Sequence, residues 1–263
     1  MSSSFEWRPI ALLREQSPEA AGPADFALIV LNQPVKQTPV FDLLWTNALA
    51  RVAADGGANR LHDLSKSAEA QSHPPYTNLD VIIGDLDSLL PSVKDYYTRL
   101  DKPAQVIHDS DQYSTDFGKA VSWIRSNHDS KVDIVAIGGL GGRVDQGLSQ
   151  VHHLYLFQPG PGYAEGKLYL VSGQSLTFLL KPGRHSIWVR EGGEDVFGKY
   201  VGIIPIGGTS HITTKGLEWD VENWKTEFGG HMSTSNHVLP ETKVVEIETT
   251  NTVLFTIALA GIE

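Results

Sequence analysis

The hydrophobic positions follow two regimes along the chain. In the first half, a short apolar run is repeatedly followed by a Gly- or Asp-rich stop and then by residues at helical spacing, the pattern of a layered α/β domain. Residues 26–31 form such a run, and Val40, Leu43, Leu44 and Asn47 follow at i, i+3, i+4, i+7 spacing. Residues 51–54 lead into Asp55-Gly56-Gly57, residues 81–83 into Gly84-Asp85-Leu86-Asp87, and residues 132–137 into Gly138-Gly139. Each stop is expected at the C-terminal end of a strand. Thr115 is placed to cap a helix, with Asp116 in the first turn and Phe117, Ala120, Val121 and Ile124 as an apolar stripe. Val144, Leu148, Val151 and Tyr155 supply a second stripe. Open α/β sheets bind ligands beyond the C-terminal ends of their strands, so stops far apart in sequence are expected to converge.

This rhythm breaks at Gln158-Pro159-Gly160-Pro161-Gly162, which reads as a loop or linker. The expected domains are residues 1–160 and 161–263. Beyond the break, β-rich runs at 168–171, 176–180, 185–189, 201–204, 211–214, 244–247 and 253–259 carry no helical stripe and predict a sandwich or barrel. The expected fold class is therefore α/β, with a doubly wound, mostly parallel N-terminal domain followed by an all-β C-terminal domain. Residues 65–75 and 191–198 are polar or Gly-rich and read as surface loops.

Composition narrows the function. The 263 residues carry 31 Asp plus Glu against 21 Lys plus Arg, a formal net charge of −10, which disfavours a general nucleic-acid binder. The absence of cysteine excludes disulfides, thiolate nucleophiles, iron–sulfur clusters and Cys-type zinc sites, and fits a reducing, cytoplasmic setting. Residues 1–8 are polar, include Glu6 and lack the basic start and apolar core of a secretory signal. The longest apolar stretch, 253–262, has about half the length needed to cross a bilayer and reads as a buried strand.

Gly84-Asp85-Leu86-Asp87-Ser88 follows an apolar strand, and on an extended backbone Asp85 and Asp87 would offer two carboxylates to one cation. Hard oxygen ligands without Cys or paired His favour Mg²⁺ or Mn²⁺ over zinc. An Asp-rich turn with Ser88 capping the next helix explains the same residues. The glycines of Asp55-Gly56-Gly57-Ala58-Asn59-Arg60 would let backbone amides approach a phosphate or ribose, although a C-cap turn accounts for them equally. Gly138-Gly139-Leu140-Gly141-Gly142-Arg143-Val144-Asp145 adds a guanidinium suited to phosphate and a carboxylate at a helix start. It fails the dinucleotide-binding fingerprint because Val144 stands where a third glycine is needed, and no segment has Walker A spacing. Asp55, Asp85, Asp87, Asp116 and Asp145 all follow expected strands, and acids gathered at one sheet edge need cations or arginines, which points to a metal-bound polyphosphate. In the second half, Trp219 could stack on a flat or cationic ligand and Ser233-Thr234-Ser235-Asn236 could hydrogen-bond a heteroaromatic ring. A core tryptophan and a polar turn are the alternative.

Together these segments resemble thiamine pyrophosphokinases. The likeness runs in order through Leu31-Asn32-Gln33-Pro34, Asp55-Gly56-Gly57-Ala58-Asn59, Gly84-Asp85-Leu86-Asp87-Ser88, Asp111-Gln112 with Thr115-Asp116-Phe117-Gly118-Lys119-Ala120, Gly139-Leu140-Gly141-Gly142-Arg143-Val144-Asp145, and Ser233-Thr234-Ser235-Asn236. The resemblance implies a C-terminal β-sandwich, a homodimer with pockets shared between subunits, and transfer of the pyrophosphoryl group of ATP to the hydroxyl of thiamine. It places Asp55, Asp85, Asp87 and Asp116 on Mg²⁺ and the polyphosphate. Asn32, Gln33, Gly56, Gln112, Thr115, Arg143 and Asp145 fall around the nucleotide and the reacting hydroxyl, and Trp219, Ser235 and Asn236 in the thiamine pocket. The histidine usual after Gly-Gly-Arg-x-Asp is Gln146 here. Two other functions fit an acidic site: a metal-dependent nucleotide hydrolase, and a non-catalytic nucleotide or thiamine sensor.

Overall fold

The computed structural model describes residues 3–14, 25–36, 38–66, 76–129, 131–191 and 196–261. The fold is mixed α/β, and the chain divides into two compact units. It opens with β1 (Ser4–Trp7) and a 3₁₀ turn (Pro9–Leu13), which belong to the β-rich unit.

The α/β unit comprises described residues within 17–159 and 163–173. Its strands are β2 (Phe26–Val30), β3 (Ala50–Ala54), β4 (Val81–Gly84), β5 (Gln105–His108), β6 (Asp133–Ile137) and β7 (Leu168–Val171). They lie in the order β7-β6-β2-β3-β4-β5, and every neighbouring pair is parallel. All of β2 is buried, the unalternated apolar run of a central strand covered on both faces. The helices are α1 (Pro39–Asn47), α2 (Gly57–Lys66), α3 (Pro91–Thr98), α4 (Asp116–Asn127) and α5 (Val144–Leu156). The α4 start is as expected: Thr115 Oγ1 accepts from Gly118 N at 3.1 Å, and Phe117, Ala120, Val121 and Ile124 are buried.

Two expected stripes are rotated. Helix α1 buries Leu44 and Asn47 as expected, but Phe41 and Trp45 take the place of Val40 and Leu43, because both rings pack edge-on against Tyr76 with centroids 5.0 and 5.3 Å away. The larger aromatic area sets the buried face. In α5, Val144 and Leu148 stay 76% and 60% exposed, while Gln150, His153 and Leu154 are buried. The His153 ring lies 5.0 Å from Phe117 and 5.5 Å from Phe157, and its nitrogens are satisfied by Thr115 Oγ1 and Ser149 O. A buried histidine with both nitrogens paired loses little by desolvation. Ser88 does not cap α3. Leu90 holds the N-cap position and Pro91 begins the helix.

The β-rich unit contains the described residues of 1–16, 160–162 and 174–263. Compared with a cut at 160/161, β7 sits with the parallel strands because it pairs with β6, and residues 3–14 sit with the β-rich unit because β1 pairs with the strand at 183–188. The remaining strands are β8 (Ser175–Leu180), β9 (Gly183–Trp188), β10 (Phe197–Ile204), β11 (Ser210–Lys215), β12 (Trp224–Thr226), β13 (Ser233–His237), β14 (Val244–Thr249) and β15 (Val253–Leu259). One set runs β13-β10-β15-β8 and the other β1-β9-β14-β11-β12, antiparallel except for β1 against β9. Trp7 from the second set stacks on Phe178 from the first at 4.3 Å. The expected loops at 65–75 and 191–198 lie mostly outside the described residues, but Ser65 and Lys66 complete α2, and Phe197 and Gly198 open β10, where Phe197 pairs with Leu259. Among the described residues no helix is long and apolar enough to cross a membrane.

Candidate active site

The acidic residues converge at the C-terminal ends of β3 and β4. Asp55 follows β3 in the left-handed region at φ 43° and is only 3% exposed. Its Oδ2 accepts from Ser88 N at 3.1 Å, while its buried Oδ1 has no protein partner. Past β4, Asp85 and Asp87 are brought together by a turn and not by extended backbone: Leu86 between them has φ 62°, and Asp85 Oδ1 accepts from Asp87 N at 3.2 Å. Leu at positive φ costs on the order of 1 kcal/mol. Asn59 holds this turn, with its Nδ2 donating to Ser88 O and its Oδ1 accepting from Leu90 N. As a result Asp55, Asp85 and Asp87 each bring a carboxylate oxygen within 4.8 Å of the others.

Asp116 flanks this trio. Its Oδ1 accepts from Asp85 N at 3.2 Å and lies 3.4 Å from the ammonium of buried Lys119. Burial is the main force raising the Asp55 carboxyl pKa, and the Asp116 charge adds to it against the lowering effect of the Ser88 N–H. Three carboxylates around an orphaned, buried Asp55 oxygen suit a hard divalent cation, which would supply the missing partner and offset the repulsion.

A polar cleft of about 310 Å³ extends from Asp85 and Asp116 past Asn32, Gln112, Thr115 and Gln146. Asn32 Oδ1 accepts from Arg60 Nε, and Gly56 lies so close that a methyl group there would meet the Asn32 amide. Gln33 reaches toward Gly142 and does not line the cleft. Nor do Arg143 and Asp145, which are exposed at the start of α5 and bound to each other at 2.5 Å. The Arg143 hydrogen bond holds the Asp145 carboxyl below its ordinary range.

In the β-rich unit, a separate cavity of about 220 Å³ is lined by Trp219, Trp224, Met232, Ser233, Thr234 and Asn236, among others. Trp219 is 55% exposed, and its ring lies 5.0 Å from His237. Asn236 is buried and spends its amide on Trp219: Oδ1 accepts from Trp219 N at 3.2 Å, and Nδ2 donates to Trp219 O at 2.9 Å. Ser235 is exposed, does not line the cavity and has φ 56°.

Comparisons with known proteins match this arrangement. Residues 41–161 match the model "Thiamin pyrophosphokinase, catalytic domain", and residues 184–254 match "Thiamin pyrophosphokinase, vitamin B1 binding domain". The chain is 38% identical to thiamine pyrophosphokinase 3 of Oryza sativa, covering 90% of this chain and 88% of that one. Thiamine pyrophosphokinase 1 of the same plant is 37% identical, covering 98% and 96%. The chain belongs to the thiamine pyrophosphokinase family. The crystal structure of yeast thiamin pyrophosphokinase shares its fold at TM-score 0.80, with 26% identity over 97% of this chain and 91% of that one.

Within this thiamine pyrophosphokinase fold, the sequence reading missed the residues that support the site. Asn59 stood in a recognised motif, but its contacts to Ser88 and Leu90 cross 29 and 31 positions. His153 belongs to no motif in the sequence, yet its Nε2 lies 2.6 Å from Thr115 Oγ1. Gly84 carries a signal that only the structure explains: a Cβ there would lie 2.8 Å from both Asp116 Oδ1 and Asp55 Cβ. Asp55 Cβ cannot swing aside as a side-chain end could. Gly84→Ala is therefore expected to destabilise the fold by about 1–3 kcal/mol and to spread the carboxylates, lowering both the melting temperature and kcat. Unchanged melting and turnover would show that the close approach has no consequence.

Proposed function

We propose that this chain transfers the pyrophosphoryl group of ATP to the hydroxyl of thiamine. The thiamine hydroxyl oxygen bonds to the β-phosphorus, the bond from that phosphorus to the α–β bridging oxygen breaks, AMP leaves, and the hydroxyl proton is released. The observation that carries the reading is the Asp55, Asp85 and Asp87 trio within a family-matched α/β unit. Bound Mg²⁺ would neutralise phosphate oxygens and strengthen the electrophile. Asp55, Asp85 and Asp87 hold the cation, while Asp116 fixes Asp85 through its backbone N–H and is itself balanced by Lys119. Asn32, Gln112 and Thr115 line the cleft assigned to the nucleotide and Gly56 packs against Asn32, while Gln33, Arg143 and Asp145, which lie outside the cleft, are assigned to the nucleotide and the reacting hydroxyl by turning toward bound substrate. No protein nucleophile is needed, because positioning and charge stabilisation account for this chemistry.

On this reading, the α/β unit acts as a doubly wound nucleotide- and metal-binding catalytic domain, and the β-rich unit as a β-sandwich for thiamine binding and dimerisation in a cytoplasmic homodimer. Exposed Trp219, Phe228 and Met232 give the β-rich unit apolar surface suited to ligand and partner copy, and a monomer in light scattering would overturn the shared pocket. Trp219 supplies an aromatic wall for the cationic thiazolium, and Ser235, between the lining residues Thr234 and Asn236, is assigned to the same ligand. Asn236 acts by holding the Trp219 backbone, so Asn236→Ala is expected to raise the KM for thiamine about tenfold while the KM for ATP stays constant. Equal changes in both constants would remove Asn236 from the thiamine side.

The deciding experiment incubates the pure protein with ATP and Mg²⁺, with and without thiamine, and separates the nucleotides. AMP forming in step with thiamine diphosphate, only when thiamine is present, is expected. ADP would place attack at the γ-phosphorus, and thiamine-independent turnover would make the protein a nucleotide hydrolase.

A further inference from the structure

The cleft beside the acidic trio is lined by three carboxylates, Asp85, Asp111 and Asp116, and among the described residues by no lysine or arginine. A nucleoside triphosphate brings more negative charge than one divalent cation offsets, so further donors and positive charge are needed beside it. Lys119 and Arg143 are already committed, the first to Asp116 and the second to Asp145. Arg60 is not. It stands half-buried in the first turn of α2, and its Nε donates to Oδ1 of the cleft-lining Asn32 at 3.0 Å. Its two terminal nitrogens have no partner among the described residues and stay open to solvent.

This bond settles the polarity of the Asn32 amide. A guanidinium has donors only, so the amide atom that meets Arg60 is the oxygen, and Nδ2 is left as a donor with no partner among the described residues. Asn32 is exposed and lines the cleft with Asp85 and Asp116, so its amide offers the cleft a donor and not an acceptor. Gly56 holds the amide from another side. A Cβ there would lie 2.3 Å from Asn32 Nδ2 and 2.6 Å from its Cγ, so the amide rests on backbone that only glycine leaves clear.

We propose that Arg60 is a positioning residue for the nucleotide: by holding Oδ1, it leaves Asn32 Nδ2 to donate to a phosphate oxygen of ATP. The proposal rests on the ATP reading above. Phosphate oxygens are acceptors only and gather where the cation is held, at the Asp85 side of the same cleft that Asn32 lines. The guanidinium bonded to Oδ1 polarises the amide, and a polarised N–H gains most from a charged acceptor. Without Arg60 the amide is free to turn and set Oδ1 against the phosphate, lone pair against lone pair.

Asn32→Asp separates this role from a structural one. The introduced carboxylate still accepts from Arg60 Nε, now as a charged pair, but it has no donor for phosphate and repels it. The ligand-free melting temperature is therefore expected to stay within a few degrees of wild type, while ATP affinity, measured by calorimetry with Mg²⁺ and without thiamine, falls about 100-fold. Asn32→Ala removes the donor without adding charge and is expected to weaken ATP about tenfold. Arg60→Met is expected to weaken ATP about tenfold as well, and in turnover to raise the KM for ATP with the KM for thiamine unchanged.

Wild-type ATP affinity in either Asn32→Asp or Arg60→Met would overturn the proposal. So would equal losses in Asn32→Asp and Asn32→Ala, which place the amide against an uncharged part of the nucleotide. A rise in both KM values in Arg60→Met, with a lowered melting temperature, would overturn it too by marking a structural arginine. ATP bound with the expected losses but never turned over with thiamine would leave the Arg60 assignment standing and refute the pyrophosphotransferase reading. No nucleotide binding by the wild type would refute both.

Discussion

Replacing Asp85 with Asn is expected to lower thiamine-dependent AMP formation by about 10²–10³-fold while leaving the melting temperature within a few degrees. The substitution preserves shape and the Oδ1 that accepts from Asp87 N, so the turn through Leu86 is retained. The lost charge comes from a trio whose oxygens lie within 4.8 Å of one another, so the ligand-free fold has less repulsion to bear. Under the proposed function catalysis responds oppositely, because the same charge would hold the cation that neutralises the polyphosphate. Measured against Mg²⁺ concentration, the residual activity should require more metal for half-saturation. Near-normal turnover with an unchanged Mg²⁺ requirement would remove Asp85 from the metal role.

Asp85 also illustrates what the sequence made legible. Its neighbours Val81, Ile82 and Ile83 form a buried parallel strand, and the Asp-rich stop falls at its C-terminal end, as the strand-then-stop pattern required. The route by which Asp85 and Asp87 meet was not legible. Extended backbone and an Asx turn both bring carboxylates near each other, and only the positive φ at Leu86 separates the two.

The rotated helices show a different limit. A stripe such as Val144, Leu148, Val151 and Tyr155 has the right period, but period alone does not say which face meets the core. In α5 that choice follows the rings of Phe117, His153 and Phe157, and the hydroxyl of Thr115 that completes the histidine's bonding. These are contacts across about 40 residues of sequence, beyond the reach of local patterning. Strand β1 was missed for the same reason, since Ser-Phe-Glu-Trp becomes a strand by pairing with residues nearly two hundred positions away. The motifs at Asp55 and Asp85 were legible because each follows a strand that an apolar run already marks, whereas Ser233–Asn236 lie inside β13, which carries no such run.

The β1 pairing leads to an expected acid sensitivity. Trp7 Nε1 donates to His185 Nδ1 at 2.9 Å, and His185 Nε2 lies 2.7 Å from Lys181 O, so the buried ring is neutral and carries its proton on Nε2. Protonating Nδ1 would set it against the Trp7 N–H and charge a ring that is 1% exposed. Burial accordingly pushes the His185 pKa down to about 4 from 6.5. Because the folded pKa lies below the unfolded one, the unfolded chain binds more protons between them. The contribution of neutral His185 is complete above pH 6.5 and is lost as pH falls toward about 4, a cost of about 3 kcal/mol. The carboxyls of Asp55 and Asp133, both raised by burial, act in the opposite direction at low pH, so the readout must be a difference. Denaturant unfolding of wild type and His185→Gln from pH 7 to pH 4 isolates it, since glutamine offers an acceptor and a donor but does not titrate. The variant should be less stable at pH 7 and lose less stability on acidification. Parallel stability curves would show that His185 is not the group that loosens the β-rich unit in acid.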